Sequence, residues 1–561
     1  MQERDEYGVR VATTIKHFLY GQSSGGVNTA SETGGLNKIF NTVGVPYMKA
    51  MQDAQPLSLM TSYASYDHVP MAANQYLLQD ILRKEMGFEG LIMSDALAIP
   101  WLYEHQRVAD SLLGAGVAAL KAGIQLELSP AQPAVFPLLR STTNDTTIGG
   151  LIDQAVLAVL KIKFTTGEFD RPLPDVHTLD ETLRSAKHLE TCRRISEESV
   201  VLLQNDGVLP RNGTNRIAVL DPFADIVNPG SYAAAISNSN MSGHTLRQSL
   251  VTKLGSENVI YAKGVDILDT TNSSGIAEAV AAAKSAGIAV LMVGSLSVNS
   301  ADPLYGKWTD GEFFSHAYLD LPGLQQQLVD AVIGSGAPTI VVLSGGQAFA
   351  LGNSTMRANA IIHSFLGGEF TGDAVADIIM GDVTPSGKLP FSLPQANGAW
   401  PIAYNLQPGD YYGGSAGVGS YPRSDWQLPY LSRSPPMPFG FGMSYTSFSL
   451  SHPTATRRPG RVTVSAKLTN TGKRSGKEVV QLYFRKSFTT TVETANKQLI
   501  RFQKLTLDPG RSRNITFTVD IEELGYYVNT MKVVESGLYQ FWMGTSSRAE
   551  NLQAFNVTLT K

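Results

Sequence analysis

The sequence predicts an α/β chain of three domains: part of a parallel (β/α)8 barrel, a second α/β domain, and a C-terminal antiparallel β-sandwich. Three observations carry this. Apolar strand-like runs alternate with helical periodicity through residues 1–130, they alternate again through 200–363, and beyond Phe439 the apolar period falls to two. A chain of 561 residues is also too long for one hydrophobic core.

In the first domain, expected over 1–165, strands are predicted at 9–15, 57–63, 89–94 and 123–128. That is half the complement of an eight-stranded barrel. A helix with Leu78, Ile81 and Leu82 on one face precedes the third strand, and one with Val108, Leu112, Ala119 and Leu120 follows it. Ile152, Val156, Val159 and Leu160 mark a closing helix, and Pro172 and Pro174 place a linker at 166–185. The second domain, 186–395, is predicted to hold strands at 217–220, 259–262, 288–293, 339–343 and 360–363, with helices such as 276–285 and 323–333 between them. Such alternation implies a mainly parallel sheet covered on both faces. The Pro-, Gly-, Ser- and Tyr-rich stretch 396–438 reads as an extended connector. In 439–561, Val462, Val464, Ala466 and Leu468 alternate with polar residues, as do Ile515, Phe517 and Val519. Turn signals at Asn470-Thr-Gly and Asp508-Pro-Gly separate the runs, which is the pattern of an immunoglobulin- or fibronectin type III-like sandwich.

Composition excludes several classes. Net charge is −4 and the one basic cluster, Arg457, Arg458 and Arg461, reads as a solvated turn, so no nucleic-acid partner is indicated. No run reaches the roughly 20 apolar residues that span a bilayer, so no membrane partner is indicated either. Cys192 is the single cysteine, which rules out an intramolecular disulfide or a Cys-ligated zinc site; within a helix-like segment, 188–198, it is expected to be a packed, inert thiol. The nine histidines show no metal-ligand spacing. The turn Ser344-Gly-Gly346 fits neither the dinucleotide nor the P-loop fingerprint. The charged start, Met1 to Tyr7, does not read as a signal peptide, whereas acceptor tripeptides at Asn144, Asn212, Asn240, Asn272, Asn353, Asn514 and Asn556 point towards export.

The chemistry is expected at strand tips. Phe88-Glu-Gly-Leu-Ile-Met-Ser-Asp95 ends a buried strand in a carboxylate, Lys16-His17 ends the first strand, and Tyr63 ends the second. In a parallel barrel these tips converge on one mouth. A lysine, a histidine, a tyrosine and a carboxylate together can hydrogen-bond the hydroxyls of a small polar ligand such as a sugar, with Tyr63 orienting Asp95.

These residues resemble glycoside hydrolase family 3, and the likeness runs from Val11 to the C-terminus. Lys16-His17-Phe18 is similar to the family's Lys-His sugar clasp, Met60-Thr-Ser-Tyr63 to its Met-x-Ser-Tyr strand, and 88–95 to its nucleophile strand, Gly-Phe-x-Gly-x-x-x-Ser-Asp. Ala122-Gly-Ile-Gln-Leu-Glu-Leu128 resembles the last barrel strand. In the second domain Ser199-Val-Val-Leu-Leu-Gln-Asn-Asp-Gly-Val-Leu-Pro210 and Gly381-Asp-Val-Thr-Pro-Ser-Gly-Lys-Leu-Pro390 resemble family signatures, and Pro438-Phe-Gly-Phe-Gly-Met-Ser-Tyr-Thr446 resembles the lead into its fibronectin-like domain. The resemblance implies a retaining, exo-acting β-glycosidase, most simply a β-glucosidase acting on β-linked oligosaccharides, secreted and without metal or organic cofactor. A β-xylosidase and a non-catalytic carbohydrate-binding homologue are the alternatives. Asp95 would be the nucleophile and Lys16, His17 and Tyr63 substrate-binding residues. The acid/base would be Glu312, which precedes Leu319-Asp-Leu-Pro-Gly323 at the family's interval, with Asp310 and Glu369 as rivals. In that mechanism the two carboxyl groups stand about 5–5.5 Å apart, one ionised and one protonated.

Several positions depart from the family pattern. Ser315 and His316 replace an Asp-Arg pair after the acid/base, and Ala96 stands where many relatives carry a sugar-stacking Trp, leaving Trp101 or Trp308 as the platform or as core residues. After Lys16-His17 no histidine occurs until His68, unlike the N-acetylglucosaminidase subgroup. The four predicted strands match the last four of the family's barrel. On this reading the earlier half is missing, two sheet edges stay open, and the chain is expected to be poorly soluble or to associate as a homo-oligomer.

Overall fold

A computed structural model describes residues 2–19, 28–129, 134–213, 216–228, 230–232, 242–298, 306–312, 314, 317–394, 397, 402–408 and 437–560. They form two compact units: Met1–His177 together with Tyr526–Val533, and Thr178–Gly525 together with Val534–Lys561.

The first unit is built on a parallel sheet of β1 (Thr14–Phe18), β2 (Ser58–Thr61) and β3 (Leu91–Met93), in the order β1-β2-β3. Helix α1 (Val45–Ala54) links β1 to β2, and α2 (Tyr76–Glu85, with π-type turns) links β2 to β3. All four residues of β2 are buried, as a strand paired on both edges requires. Leu78, Ile81 and Leu82 of α2 pack with Phe18, Leu59 and Ile92, so the expected helical face is the core face. Beyond β3 lie α3 (Ala98–Glu104), α4 (Leu112–Ala122) and α5 (Thr146–Thr165).

The unit differs from expectation in four respects. The first strand begins at Thr14, where pairing with Ser58 starts, and Val11 is exposed. The fourth predicted strand is reduced to one parallel bridge, Met93 with Leu126, flanked by Gln125 N–H to Ile92 O (2.8 Å) and Ser94 N–H to Leu126 O (2.9 Å). Val108 lies in a loop and stays exposed, because Ser111 caps a fresh helix by accepting the Gly114 N–H at 3.0 Å. The closing helix forms, yet Val156 and Leu160 remain 51% and 38% exposed.

Two staples fix this unit. Arg83 donates to Phe88 O (2.9 Å), Gly90 O (2.5 Å) and Gln125 Oε1 (3.0 Å), tying α2 to the starts of β3 and of the 124–128 segment. The short hairpin of Tyr526–Val528 and Met531–Val533 is held by asparagine side chains. Asn41 donates its amide to Tyr527 O (2.8 Å) and accepts the Tyr527 N–H (2.7 Å), as a neighbouring strand would, while Asn37 Oδ1 accepts the Asn529 N–H at 2.6 Å. The Tyr527 ring packs on Phe40, 5.2 Å between centroids.

The second unit opens with α6 (Ala186–Ser199) and a six-stranded sheet: β4 (Val201–Asn205), β5 (Ile217–Leu220), β6 (Val259–Ala262), β7 (Ile288–Gly294), β8 (Thr339–Ser344) and β9 (Ala360–Phe365). The order is β6-β5-β7-β8-β9-β4, parallel except for the antiparallel edge strand β4. The five predicted strands stand where the apolar runs placed them. β4 was legible only as a motif. Helices α7 (Leu246–Leu254), α8 (Ile276–Ser285), α9 (Gln325–Gly334) and α10 (Thr371–Met380) cover the sheet, whose two faces form separate cores. Thr245 and Gln248 start α7 with a reciprocal capping box. On α6, Cys192 is exposed rather than packed, since the buried face of that helix is carried by Ser196.

The sandwich pairs sheets β10-β11-β14 and β13-β12-β15-β16, where β10 is Phe448–Arg458, β11 Arg461–Asn470, β12 Gly476–Lys486, β13 Gln498–Leu507, β14 Ser512–Asp520, β15 Gly537–Gly544 and β16 Leu552–Leu559. The alternation read from Val462 to Leu468 and from Ile515 to Val519 is its core alternation.

His363 of β9 gives this unit a pH signature. It is fully buried, stacked on Phe365 at 4.0 Å, and its Nδ1 accepts the Phe365 N–H at 3.1 Å. Burial holds its imidazole down to about 3. An unfolded histidine takes up a proton near pH 6.5, which the folded one refuses, so stability from this group is lost as pH falls below that value. His363→Phe is expected to flatten the decline of the urea midpoint between about pH 6.5 and 4 by one proton, about 1.4 kcal/mol per pH unit. An unchanged slope would assign the acid sensitivity elsewhere.

Candidate active site

Asp95 stands two residues beyond β3, its side chain 11% exposed. The strand is locked before it gets there: Ser94 Oγ accepts the Leu128 N–H at 3.0 Å, and Leu97 N–H reaches Leu128 O at 3.2 Å. Leu97 adopts left-handed backbone (φ +62°), turning the chain sharply into α3 just past the carboxylate. A branched side chain in that region is strained, and such positions concentrate at functional sites.

The Asp95 carboxylate is divided between two partners. Oδ1 accepts the Ala96 N–H at 2.7 Å, and Oδ2 lies 3.3 Å from His17 Nε2. His17, 29% exposed, lies within β1, and its carbonyl accepts the Tyr47 hydroxyl from α1. The Tyr47 ring meets Phe18 edge-on at 5.3 Å, and burial pushes its phenol up to about 12, so it stays a donor. Tyr47 thus braces the tip that presents His17. It sits in the first turn of α1, and nothing in its spacing announced this.

The other predicted contacts are rearranged. Lys16 is exposed and forms no described ion pair with Asp95, so His17 alone of the pair faces the carboxylate. Tyr63 is buried, but its ring lies on Trp101 at 4.8 Å rather than orienting Asp95, and Gln106 donates to its carbonyl at 2.9 Å. Trp101 in turn meets His105 at 5.2 Å. Glu127 accepts the backbone N–H groups of Val135 (2.9 Å) and Phe136 (2.7 Å), tying these two residues to the 124–128 segment.

Glu312 belongs to the second unit, on a loop leaving β7. The loop is braced twice: Thr309 Oγ1 accepts the Leu296 N–H at 2.7 Å, and Asp310 takes the Val298 N–H on its carbonyl (2.7 Å) and the Ser297 hydroxyl on Oδ1 (3.0 Å). Gly311 then turns at φ +114°, where a Cβ would sit 2.7 Å from Val298 N, so only glycine fits. Glu312 emerges from this turn partly exposed, with Oε2 accepting the Tyr232 hydroxyl. Trp308 packs against the sheet core and Phe314, which gives it a core role. Ser315 and His316 lie outside the described residues.

The rivals to Glu312 are already engaged. Asp310 is the brace just described. Glu369 pairs with Arg184 at 2.9 Å and accepts the Ser242 N–H at 3.1 Å, its side chain 10% exposed. Among the described residues no group of three His, Cys, Asp or Glu is placed to hold a metal, and no helix is long and apolar enough to cross a membrane.

Residues 1–162 match the family model "Glycosyl hydrolase family 3 N terminal domain", 200–445 the "Glycosyl hydrolase family 3 C-terminal domain" and 478–547 the "Fibronectin type III-like domain". Because the N-terminal model matches from residue 1, it lends no support to the expectation that the chain lacks half of that domain. A β-xylosidase of Formosa agariphila is 33% identical over 98% of this chain and 76% of its own, and a periplasmic β-glucosidase of Salmonella typhimurium 32% over 97% and 73%. Among solved structures, a β-glucosidase from Erythrobacter marinus superposes with a TM-score of 0.87 at 31% identity, covering 100% of this chain and 76% of that one.

Removing the Glu369 carboxylate separates support from chemistry. Glu369→Gln leaves Arg184 without its ion pair and is expected to lower stability by about 1–2 kcal/mol, seen as a shift in the urea midpoint. Its kcat/KM should stay within twofold of the parent. A loss of turnover with unchanged stability would promote Glu369 to the reaction.

Proposed function

The chain belongs to glycosyl hydrolase family 3, a glycoside hydrolase, and from that membership we propose that it is a retaining, exo-acting β-glucosidase with Asp95 as nucleophile and Glu312 as acid/base. The observation that carries this reading is the Asp95 carboxylate at a parallel strand tip, one oxygen held by the Ala96 N–H and the other 3.3 Å from His17, inside the segment matched by the family's N-terminal model. The Ala96 bond fixes the carboxylate plane, and His17 stabilises the anion as charge moves off it and back. Asp95 Oδ2 attacks the anomeric carbon while Glu312 protonates the leaving oxygen; Glu312 then takes a proton from water as the glycosyl-enzyme is hydrolysed. His17 and Lys16 at the β1 tip and Tyr63 on its Trp101 platform are the proposed contacts to substrate hydroxyls and ring. No metal or organic cofactor takes part in this scheme.

One observation favours a second sugar. The Formosa agariphila relative, marginally more similar than the glucosidases above, is a β-xylosidase. Initial rates on paired aryl β-glucoside and β-xyloside substrates decide between them, and turnover of neither would leave a non-catalytic sugar binder. The periplasmic Salmonella relative supports work outside the cytoplasm for this chain as well.

Two substitutions test the roles. Asp95→Ala is expected to reduce turnover by several orders of magnitude, since no covalent intermediate can form, and a mechanism-based fluorosugar should label Asp95 in the parent; a label mapped to another peptide would remove the assignment. Glu312→Ala should slow alkyl glycosides far more than dinitrophenyl glycosides, whose leaving groups need no proton, with azide rescuing the latter. Equal losses without rescue would point to a different acid.

A further inference from the structure

The sandwich carries a groove of about 790 Å³ on which the hydrolytic scheme makes no demand. Arg485, at the end of β12, lines it with Asn496 and with Gln540 of β15. The guanidinium is held in place by amide oxygens: Nε donates to Gln540 Oε1 at 2.7 Å and a terminal nitrogen to Asn496 Oδ1 at 3.3 Å, with the Trp542 ring 5.4 Å away. No carboxylate pairs with it among the described residues. Its remaining N–H donors, and the two planar amides beside it, are therefore presented at fixed positions next to open space.

The rim of the groove is equally fixed. Lys486 pairs with Glu535 Oε2 at 2.9 Å, while Glu535 Oε1 accepts the backbone N–H of Thr490 at 3.2 Å and its hydroxyl, and Thr489 donates to Val492 O at 2.6 Å. On this anchored loop Phe488 is 84% exposed and lines the groove. The fold gains nothing from an aromatic ring left in water, whereas the C–H face of a sugar ring covers such a surface well. Planar donors and acceptors can meet hydroxyls along a sugar's edge, and the lining carboxylate Glu493 disfavours an anion.

We propose that this groove is a second saccharide-binding site, holding a neutral oligosaccharide chain with one ring on Phe488 and its hydroxyls on Arg485, Asn496 and Gln540. It goes beyond the hydrolytic reading and stands on separate residues. A site of this kind keeps the protein on a polymer while chain ends are processed elsewhere on it. The test is affinity electrophoresis of the full chain carrying Asp95→Ala, which prevents digestion, in gels containing soluble mixed-linkage β-glucan or soluble xylan. Retardation by at least one polymer is expected, with the apparent association falling at least tenfold when Phe488→Ala or Gln540→Ala is added. Phe488→Ala in the parent should leave kcat/KM on aryl glycosides unchanged. No retardation by either polymer, or retardation undiminished by Phe488→Ala, overturns the proposal. Failure of the hydrolytic reading would appear separately, as absence of aryl glycoside turnover, and leaves this readout intact.

Discussion

The pairing of Ser58–Thr61 on both of its edges is the constraint on which the first unit depends. A strand with neighbours on both sides and side chains buried on both faces has no freedom of register, because a slip by one residue would misplace every contact at once. Thr14 and Leu91 are thereby fixed opposite Ser58, and the chains leaving β1 and β3 arrive side by side. The 3.3 Å approach of His17 to Asp95 is the end product of that alignment. Everything else around Asp95 refines it: Ser94 ties the strand to the next segment, Leu97 turns the chain away, and Tyr47 holds the backbone that carries His17.

The acidic side chains of the second unit sort themselves by what they already hold. Asp310 holds the Ser297 hydroxyl, and Glu369 holds Arg184 and a backbone amide. Glu312 follows a turn that only glycine can make and accepts the Tyr232 hydroxyl.

Much of this was legible in the residues. The strands at 217–220, 288–294, 339–344 and 360–365 are buried almost throughout, the edge strand 259–262 only in part, and uninterrupted apolar runs between polar turns leave one reading. The sandwich was equally clear, because a two-residue period is its own signature. Direction was not: β4 runs antiparallel at the sheet edge, and Val201 to Leu203 look the same whichever way the neighbour runs. Nor was the break after α3, although Asp110-Ser111 carried the capping signal. At the candidate site, the sequence singled out residues by type and position, while their partners could not be read from it. Tyr47 reaches His17 across 30 residues of sequence, and Tyr63 finds Trp101 rather than Asp95, because ring packing answers to local shape. Cys192 was misread for a similar reason: helical periodicity places a residue on a face without saying which face is covered.

The hairpin 526–533 has a consequence for how the protein is made. Its amide-for-strand pairing with Asn41 and its aromatic contact with Phe40 belong to the first unit, yet it is spelled out more than 340 residues after that unit's own stretch of chain ends at His177. On the ribosome, then, the first-synthesised unit must wait, with Phe40 and the Asn37 and Asn41 amides uncovered, until nearly the whole polypeptide has emerged. The unit boundary is crossed three times by the backbone, so neither unit corresponds to one uninterrupted stretch of gene. Division of this protein into independently inherited or separately expressed halves would sever a structural element from the body it completes.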